Sequence, residues 1–160
     1  MSNKSVRELA ASGVLFLVLA GCGGRQGPPI KAIATREDVM HHLVIPNAQL
    51  VWNSSGTIFT AKGTEERRPK TEDDWFNVES AAIILMEAGN LLMMDGRAMD
   101  DGKWMERSRA LREAGDACRL AAKAKDVDAL FDKGGVLFDS CQACHFAYRF
   151  QYDPKIMRTH

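Results

Sequence analysis

From about residue 71 onward, hydrophobic and small residues recur every three or four positions, which is the repeat of one face of an α-helix. The pattern predicts three helices, with one turn at Gly96 and residues 100–102 and another just before Asp126. Thr71 and Asp74 have the spacing of a capping box, and Asp126 is suited to cap the last helix. The predicted inward-facing residues are Trp75, Val78, Ala82, Leu85, Gly89 and Leu92; Trp104, Ser108, Leu111, Gly115, Cys118 and Ala122; and Val127, Leu130, Gly134, Phe138 and Cys141.

An earlier helix is predicted from Thr35 to Trp52. Thr35 is its expected N-cap, with Asp38 three residues further on. Pro46 falls inside this stretch, and we expect it to kink or split the helix because proline cannot donate a backbone hydrogen bond. Residues 57–70 are polar and charged, and no run in the chain alternates as a strand would. We therefore expect residues 57–70 to form a loop and the chain to lack β structure.

Four amphipathic helices with one long connection predict an all-α fold, an antiparallel four-helix bundle with the last helix ending near the C-terminus. Several positions on the predicted inner faces are small, which is expected to leave space between the helices. A flat group could fill such a space. The small residues are Ala82, Gly89, Ser108, Gly115, Ala122 and Gly134.

The start of the chain has the pattern of an export signal. Lys4 and Arg7 precede an apolar run from Leu9 to Ala20, which is shorter than the roughly 20 apolar residues of a membrane-spanning helix. The run ends in Leu-Ala-Gly-Cys22, which resembles the lipobox of bacterial lipoproteins. In those proteins the cysteine is acylated and the chain is cut just before it. An ordinary signal peptide with an unrelated cysteine is the alternative.

Cleavage before Cys22 would divide the chain into a signal peptide over residues 1–21, a lipidated flexible tether over 22–34 and one domain over 35–160. The predicted location is the periplasm, with a lipid anchor in the membrane. Gly23 follows the cysteine, and by resemblance to bacterial lipoproteins this favours the outer membrane. The chain has 21 basic and 21 acidic residues without a basic cluster, so nucleic acid is not an expected partner.

The most specific motif is Cys141-Gln-Ala-Cys144-His145, the pentapeptide of c-type haem attachment. On a helix the two cysteines are three positions apart and share a face, and His145 points the same way as a proximal iron ligand. The motif predicts one covalently attached haem c. A thioredoxin-like pair is disfavoured because it would begin a helix after a strand, and a zinc site would need more ligands. Cys118 is left over, and we expect it to be buried and inert.

The residues alone do not determine which side chain occupies the second axial position of the iron. Methionine there raises the reduction potential and suits an electron carrier, whereas an apolar residue leaves five-coordinate iron open to gases. Met40 also has a simpler interpretation as a gap-filling core residue. The residues considered for this position are Met40, His41, His42, Met86, Met93, Met94, Met99, Met105, Met157 and His160.

A haem motif near the C-terminal end of a four-helix bundle resembles the class II cytochromes c, over roughly residues 35–152. That family contains the cytochrome c prime group and a low-spin group in which the first helix carries an Arg-x-x-x-Met segment. Arg36 and Met40 match this segment, and Arg149 matches an arginine four residues after the haem histidine. The resemblance implies that His145 and Met40 bind the iron and that Arg36 and Arg149 belong to the haem site. Pro46, six residues after Met40, departs from a plain bundle helix.

The expected function is electron transfer with redox partner proteins, without enzymatic activity. The chain shows no nucleophile with its base and no phosphate-binding loop. One alternative is a five-coordinate protein that binds nitric oxide or carbon monoxide, as in the cytochrome c prime group. Another is a structural lipoprotein in which the pentapeptide is coincidental. Class II cytochromes are often dimers, so the resemblance also allows a homodimer.

Overall fold

A computed structural model describes residues 30–149. The predicted signal peptide, Cys22, and the predicted extension of the last helix toward Tyr152, with Met157 and His160, lie outside these residues. The described chain is mostly helical, and none of its helices has the length and hydropathy needed to span a membrane. Its elements are α1 Arg36–Asp38, a π-helix Val39–Val44, α2 Ile45–Asn53, β1 Gly56–Thr60, β2 Gly63–Arg67, α3 Glu72–Leu92, α4 Lys103–Lys123 and α5 Val127–Tyr148.

Three helix starts agree with the capping residues found in the sequence. The Thr71 hydroxyl accepts a hydrogen bond from the backbone N–H of Asp74, whose carboxylate accepts one from the Thr71 N–H. Thr35 and Asp38 form the same reciprocal pair, and the Asp126 carboxylate accepts from the N–H of Ala129. Each bond satisfies a donor that the first turn of a helix leaves free. Caps of this kind contribute about 1 kcal/mol each.

The segments α1, the π-helix and α2 follow one another without a break and are called the N-terminal helix below. Pro46 is the second residue of α2, where its missing N–H leaves the carbonyl of His42 without its usual partner. The chain responds with a wider turn in which the N–H of Ile45 donates to the carbonyl of Met40, five residues earlier. Pro46 therefore marks a change of helical register rather than the break that we expected as one outcome.

Helix α3 packs along α4, and α4 packs along α5. A Cβ atom added at Gly89 would lie 2.8 Å from the Ser108 carbonyl oxygen, and one at Gly115 would lie 2.9 Å from the Met86 nitrogen. These glycines allow α3 and α4 to approach closely. The expectation that small residues leave room for a flat group is therefore wrong for this pair of helices.

The predicted inner faces are largely confirmed. All six residues predicted for α4 are buried, and in α3 all but the half-buried Trp75 are buried. The agreement is weaker in α5, where Leu130 and Gly134 are buried but Val127 and Cys141 are half-buried. Phe138 is 48% exposed, and its neighbour Leu137 is fully buried instead. Phe138 lies at the edge of the helix and packs against Trp52 with their rings 5.7 Å apart. Cys118 is fully buried as expected, and burial raises the pKa of its thiol to about 11.

The segment predicted as a loop contains a β-hairpin, so the expectation of no β structure is wrong. Strands β1 and β2 are antiparallel, and Thr60 pairs with Gly63 across a two-residue turn. Gly63 has a φ of +129°, which residues with a side chain rarely adopt. The hairpin contacts α5 where the Phe131 ring lies against Gly56.

The course of the helices brings four helix ends together. The N-terminal helix and α4 begin, and α3 and α5 end, at what we call the motif end, because α5 carries the Cys141–His145 motif in its last turns. The hairpin lies at the opposite end, where Lys125 forms an ion pair with Glu72. A helix of 21 residues, such as α3, separates the two ends by about 30 Å.

Candidate cofactor cavity

At the motif end, the N-terminal helix, α4 and α5 enclose a cavity of about 480 Å³. Its size falls in the range of about 300–1,000 Å³ that is typical of ligand sites. Its walls are largely apolar, with Val44, Leu92 and Leu111 among them. Every residue that the sequence analysis assigned to the haem site lines it, namely Arg36, Met40, Cys141, Cys144, His145 and Arg149.

The three motif residues face the cavity from α5. Cys141, Cys144 and His145 are at positions i, i+3 and i+4 of a regular helix, and all three are half-buried. Burial raises the pKa of both thiols. Burial also lowers the pKa of His145, and the positive charge of Arg149 lowers it further. The imidazole is thereby held in its neutral form, which is the form that binds metals.

The facing wall carries two thioethers. Met40 is half-buried and packs against the core, whereas Met99, in the turn between α3 and α4, is 40% exposed. His41 also touches the cavity but is exposed to solvent, and His42 is not among the lining residues. The structure therefore leaves Met40, Met99 and His41 as cavity-lining residues from the sequence candidates within residues 30–149.

Trp104 forms a fixed part of the wall. Its indole N–H donates to the carbonyl of Leu92 at 2.7 Å. The Arg36 guanidinium lies 5.6 Å from the centre of the indole ring and donates to the carbonyl of Arg97 at 3.0 Å. Arg97 is itself buried and donates to the carbonyl of Ala34. Arg36 therefore has a structural role at the cavity wall in addition to the role that the family resemblance implies.

Tyr148 closes the end of α5 and was not singled out from the sequence. Its ring packs edge-on against Trp104, with centroids 5.0 Å apart. Its hydroxyl donates to the Asp100 carboxylate at 2.5 Å. Desolvation and this bond together raise the pKa of Tyr148 to about 12. The only sequence signal was its position, three residues after His145 on the same helix face.

Arg107 is a second residue that the sequence analysis missed. It lines the cavity and also faces a more open depression of about 820 Å³ on its outer side. Its Nε atom is buried and has no hydrogen-bond partner within residues 30–149. Such a donor is costly and indicates an acceptor that these residues do not supply. Its position three residues after Trp104 and four before Leu111, on the inner face of α4, could have identified it.

These features fit a haem c. Two thiols and an imidazole share one wall, thioethers lie on the facing wall, and the remaining wall is mainly apolar. The unpaired donor of Arg107 suits a carboxylate such as a haem propionate. Within the described part of the chain, no group of three His, Cys, Asp or Glu side chains converges as a bare-ion site. The chain matches no protein-family model, no curated protein and no solved structure among those searched.

Proposed function

We propose that this protein is a monohaem c-type cytochrome lipoprotein that transfers electrons in the periplasm. One observation carries the proposal. The attachment motif on α5 and Met40 on the N-terminal helix lie at opposite ends of the domain sequence, yet they line the same cavity. If the pentapeptide were coincidental, there would be no reason for it to line the same cavity as Met40. In this proposal the four helical elements act as an antiparallel four-helix bundle around the cofactor.

Each cavity residue then has a distinct task. The Cys141 and Cys144 sulfurs would hold the haem covalently, and the neutral His145 imidazole would bind its iron. The Met40 thioether would serve as the second protein ligand of the iron. The Arg107 guanidinium would donate hydrogen bonds to a haem propionate and balance its negative charge. The haem supplies one-electron chemistry when it is bound.

The surrounding contacts suit an electron carrier. Trp104 and Tyr148 are fixed by hydrogen bonds and by each other, so the cavity wall beside a bound haem would need little rearrangement during electron transfer. A thioether ligand from Met40 would raise the reduction potential. Redox partner proteins would exchange electrons with this site. An acyl anchor at Cys22, in the outer membrane, would keep the domain at the membrane surface.

The test is the absorption spectrum of the mature protein produced with a haem maturation system. We expect covalent haem and a low-spin reduced spectrum that carbon monoxide does not change. Met40→Ala should turn the spectrum high-spin and allow carbon monoxide to bind, whereas Met99→Ala should not. Replacing Cys141 and Cys144 by serine should abolish covalent attachment.

Other outcomes would reject the proposal in different ways. A native protein without haem would exclude the cytochrome assignment altogether. A native high-spin spectrum that shifts at once with carbon monoxide would favour a gas-binding protein. Loss of the low-spin spectrum in Met99→Ala, but not in Met40→Ala, would move the axial ligand to the turn between α3 and α4.

A further inference from the structure

We propose that Pro46 is a positioning residue that turns Met40 toward the inside of the cavity and leaves the adjacent His41 exposed at the cavity's edge. It acts through the π-helical turn that precedes it. The inference rests on the proposed function, because the presented side chain is taken to be the axial ligand of the haem. It concerns which of two neighbouring ligands the fold uses.

The link between Pro46 and the wide turn is direct. Proline has no N–H to donate to the carbonyl of His42, and its ring clashes with that carbonyl in a regular α-helix. The π-helix removes this conflict by adding one residue to the turn, and the Ile45 N–H reaches back to Met40. The side-chain amide of Asn47 also donates to the carbonyl of Leu43 at 2.7 Å, which supports the altered turn.

One extra residue changes which side chain faces the cavity. Consecutive residues of an α-helix are rotated by about 100° around its axis, since 3.6 residues make one turn. If the N-terminal helix were regular throughout and α2 stayed in place, position 41 would move to the place that position 40 now holds. His41, which now lies exposed at the edge of the cavity, would then point inward in place of Met40.

The downstream half of the helix is the half that stays in place. Val44, Ala48 and Val51 are buried in the core, at 2% exposure or less. The upstream half fully buries one apolar side chain, Val39, and is otherwise held by an exposed capping box and by the part-buried bond of Arg36 to Arg97. Burial of three apolar side chains outweighs burial of one together with hydrogen bonds that contribute about 1 kcal/mol each.

The alternative register is also acceptable to the core. Val39 is fully buried just before the cavity. After a shift of one position Met40 would take the place of Val39. The core would then bury methionine instead of valine, and methionine is an apolar side chain that adapts its shape to its surroundings. The sequence therefore carries two potential axial ligands side by side, and the proline decides between them. Histidine in place of methionine lowers the reduction potential, so Pro46 also sets the potential of the site.

The experiment compares the mature, haem-loaded native protein with Pro46→Ala by proton NMR in the reduced state. A methionine methyl group bound to the iron is recognised by its strong upfield shift in the ring current of the haem. We expect this resonance in the native protein and its loss in Pro46→Ala, together with a lower reduction potential and a retained low-spin spectrum. Adding His41→Ala to Pro46→Ala should give a high-spin protein that binds carbon monoxide. Gln49→Ala, an exposed change in the same helix, should keep the resonance.

A second variant tests the register without removing the proline. In Met40→Ala with His41→Met the thioether is moved by one position. With the π-helix intact it should miss the iron, and the protein should be high-spin. A ligated thioether in this variant would overturn the proposal, and so would an unchanged methyl resonance in Pro46→Ala. A high-spin Pro46→Ala protein would show that His41 does not replace Met40 as the iron ligand, and it would overturn the proposal as well. A native protein that binds no haem would reject the proposed function itself, whereas these other results would leave it standing.

Discussion

Helix α4 meets its two neighbours in opposite ways. Against α3 the backbones are so close that Gly89 and Gly115 have no room for a side chain. Toward α5 and the N-terminal helix, at the motif end, α4 instead borders the cavity with Trp104 and Arg107. Glycines on facing helices thus indicate close approach, while the space for a ligand lies where α4 carries large side chains. The predictions below test whether this contrast holds in solution.

The largest effect is expected from shortening a leucine on each side. Leu85 is fully buried on α3, whereas Leu111 borders the cavity. In protein without attached haem, Leu85→Ala should lower the free energy of unfolding by about 2–5 kcal/mol, because it leaves a void. Leu111→Ala should cost less, about 2 kcal/mol or below, because part of that side chain already faces open space. Urea unfolding followed by helical circular dichroism gives both values. Equal losses would show that the cavity is closed in solution.

A smaller effect is expected from adding one methyl group to each of two helical glycines. At Gly115 the new Cβ would meet the backbone of α3, and Gly115→Ala should destabilise the protein by about 1–3 kcal/mol. At Gly135, on the outer side of α5, nothing lies within 4 Å. Gly135→Ala should therefore stabilise the protein by up to about 1 kcal/mol through helix propensity. Thermal unfolding of the pair provides the comparison. Tolerance of Gly115→Ala would contradict the close contact.

The smallest effect concerns the motif end and its dependence on pH. The hydrogen bond from Tyr148, followed by those from the backbone, lowers the pKa of Asp100 below its usual value. A carboxylate with a lowered pKa in the folded state stabilises the protein above its unfolded pKa of about 4, and this contribution is lost as the pH falls through the lower, folded value. Tyr148→Phe should lower the free energy of unfolding at neutral pH, and below about pH 4 this free energy should fall less steeply than in the native protein. Unfolding curves between pH 7 and pH 3 measure both effects. An unchanged acid dependence would mean that the bond between Tyr148 and Asp100 has no share in it.

The starts of the N-terminal helix, α3 and α5 followed from the sequence because caps are local, whereas α4 begins after Gly102 without a side-chain cap. Thr71 and Asp74 satisfy each other within one turn, so their spacing alone carries the information. The convergence of the Cys141–His145 motif residues on α5 was also local, since the helical repeat places them on one face. That Met40 meets them in one cavity was an implication of the family resemblance.

The missed features depend on contacts between distant segments. The hairpin is charged at Glu65 and Glu66, which masked the strand-forming residues from Thr57 to Thr60. Phe138 matched the spacing of an inner position, but α5 buries Leu137 instead. The spacing of Arg107 from Trp104 and Leu111 places it on the inner face of α4, but the burial of its unpaired Nε atom is visible only in the folded chain. In each case a distant partner, rather than the local pattern, determines the environment.

The separation of the hairpin from the cavity offers a way to orient the molecule on a surface. Ala61 and Lys62 form the exposed turn of the hairpin, about 30 Å from the motif end. The segment from Ile30 to Glu37 lies beside Asp95 and Gly96 at the motif end, where α5 also ends. A fusion partner joined at either end of the described chain would therefore emerge near the cavity. An electrode or bead coupled through the hairpin turn would hold the domain with its cavity facing outward, accessible to soluble partners.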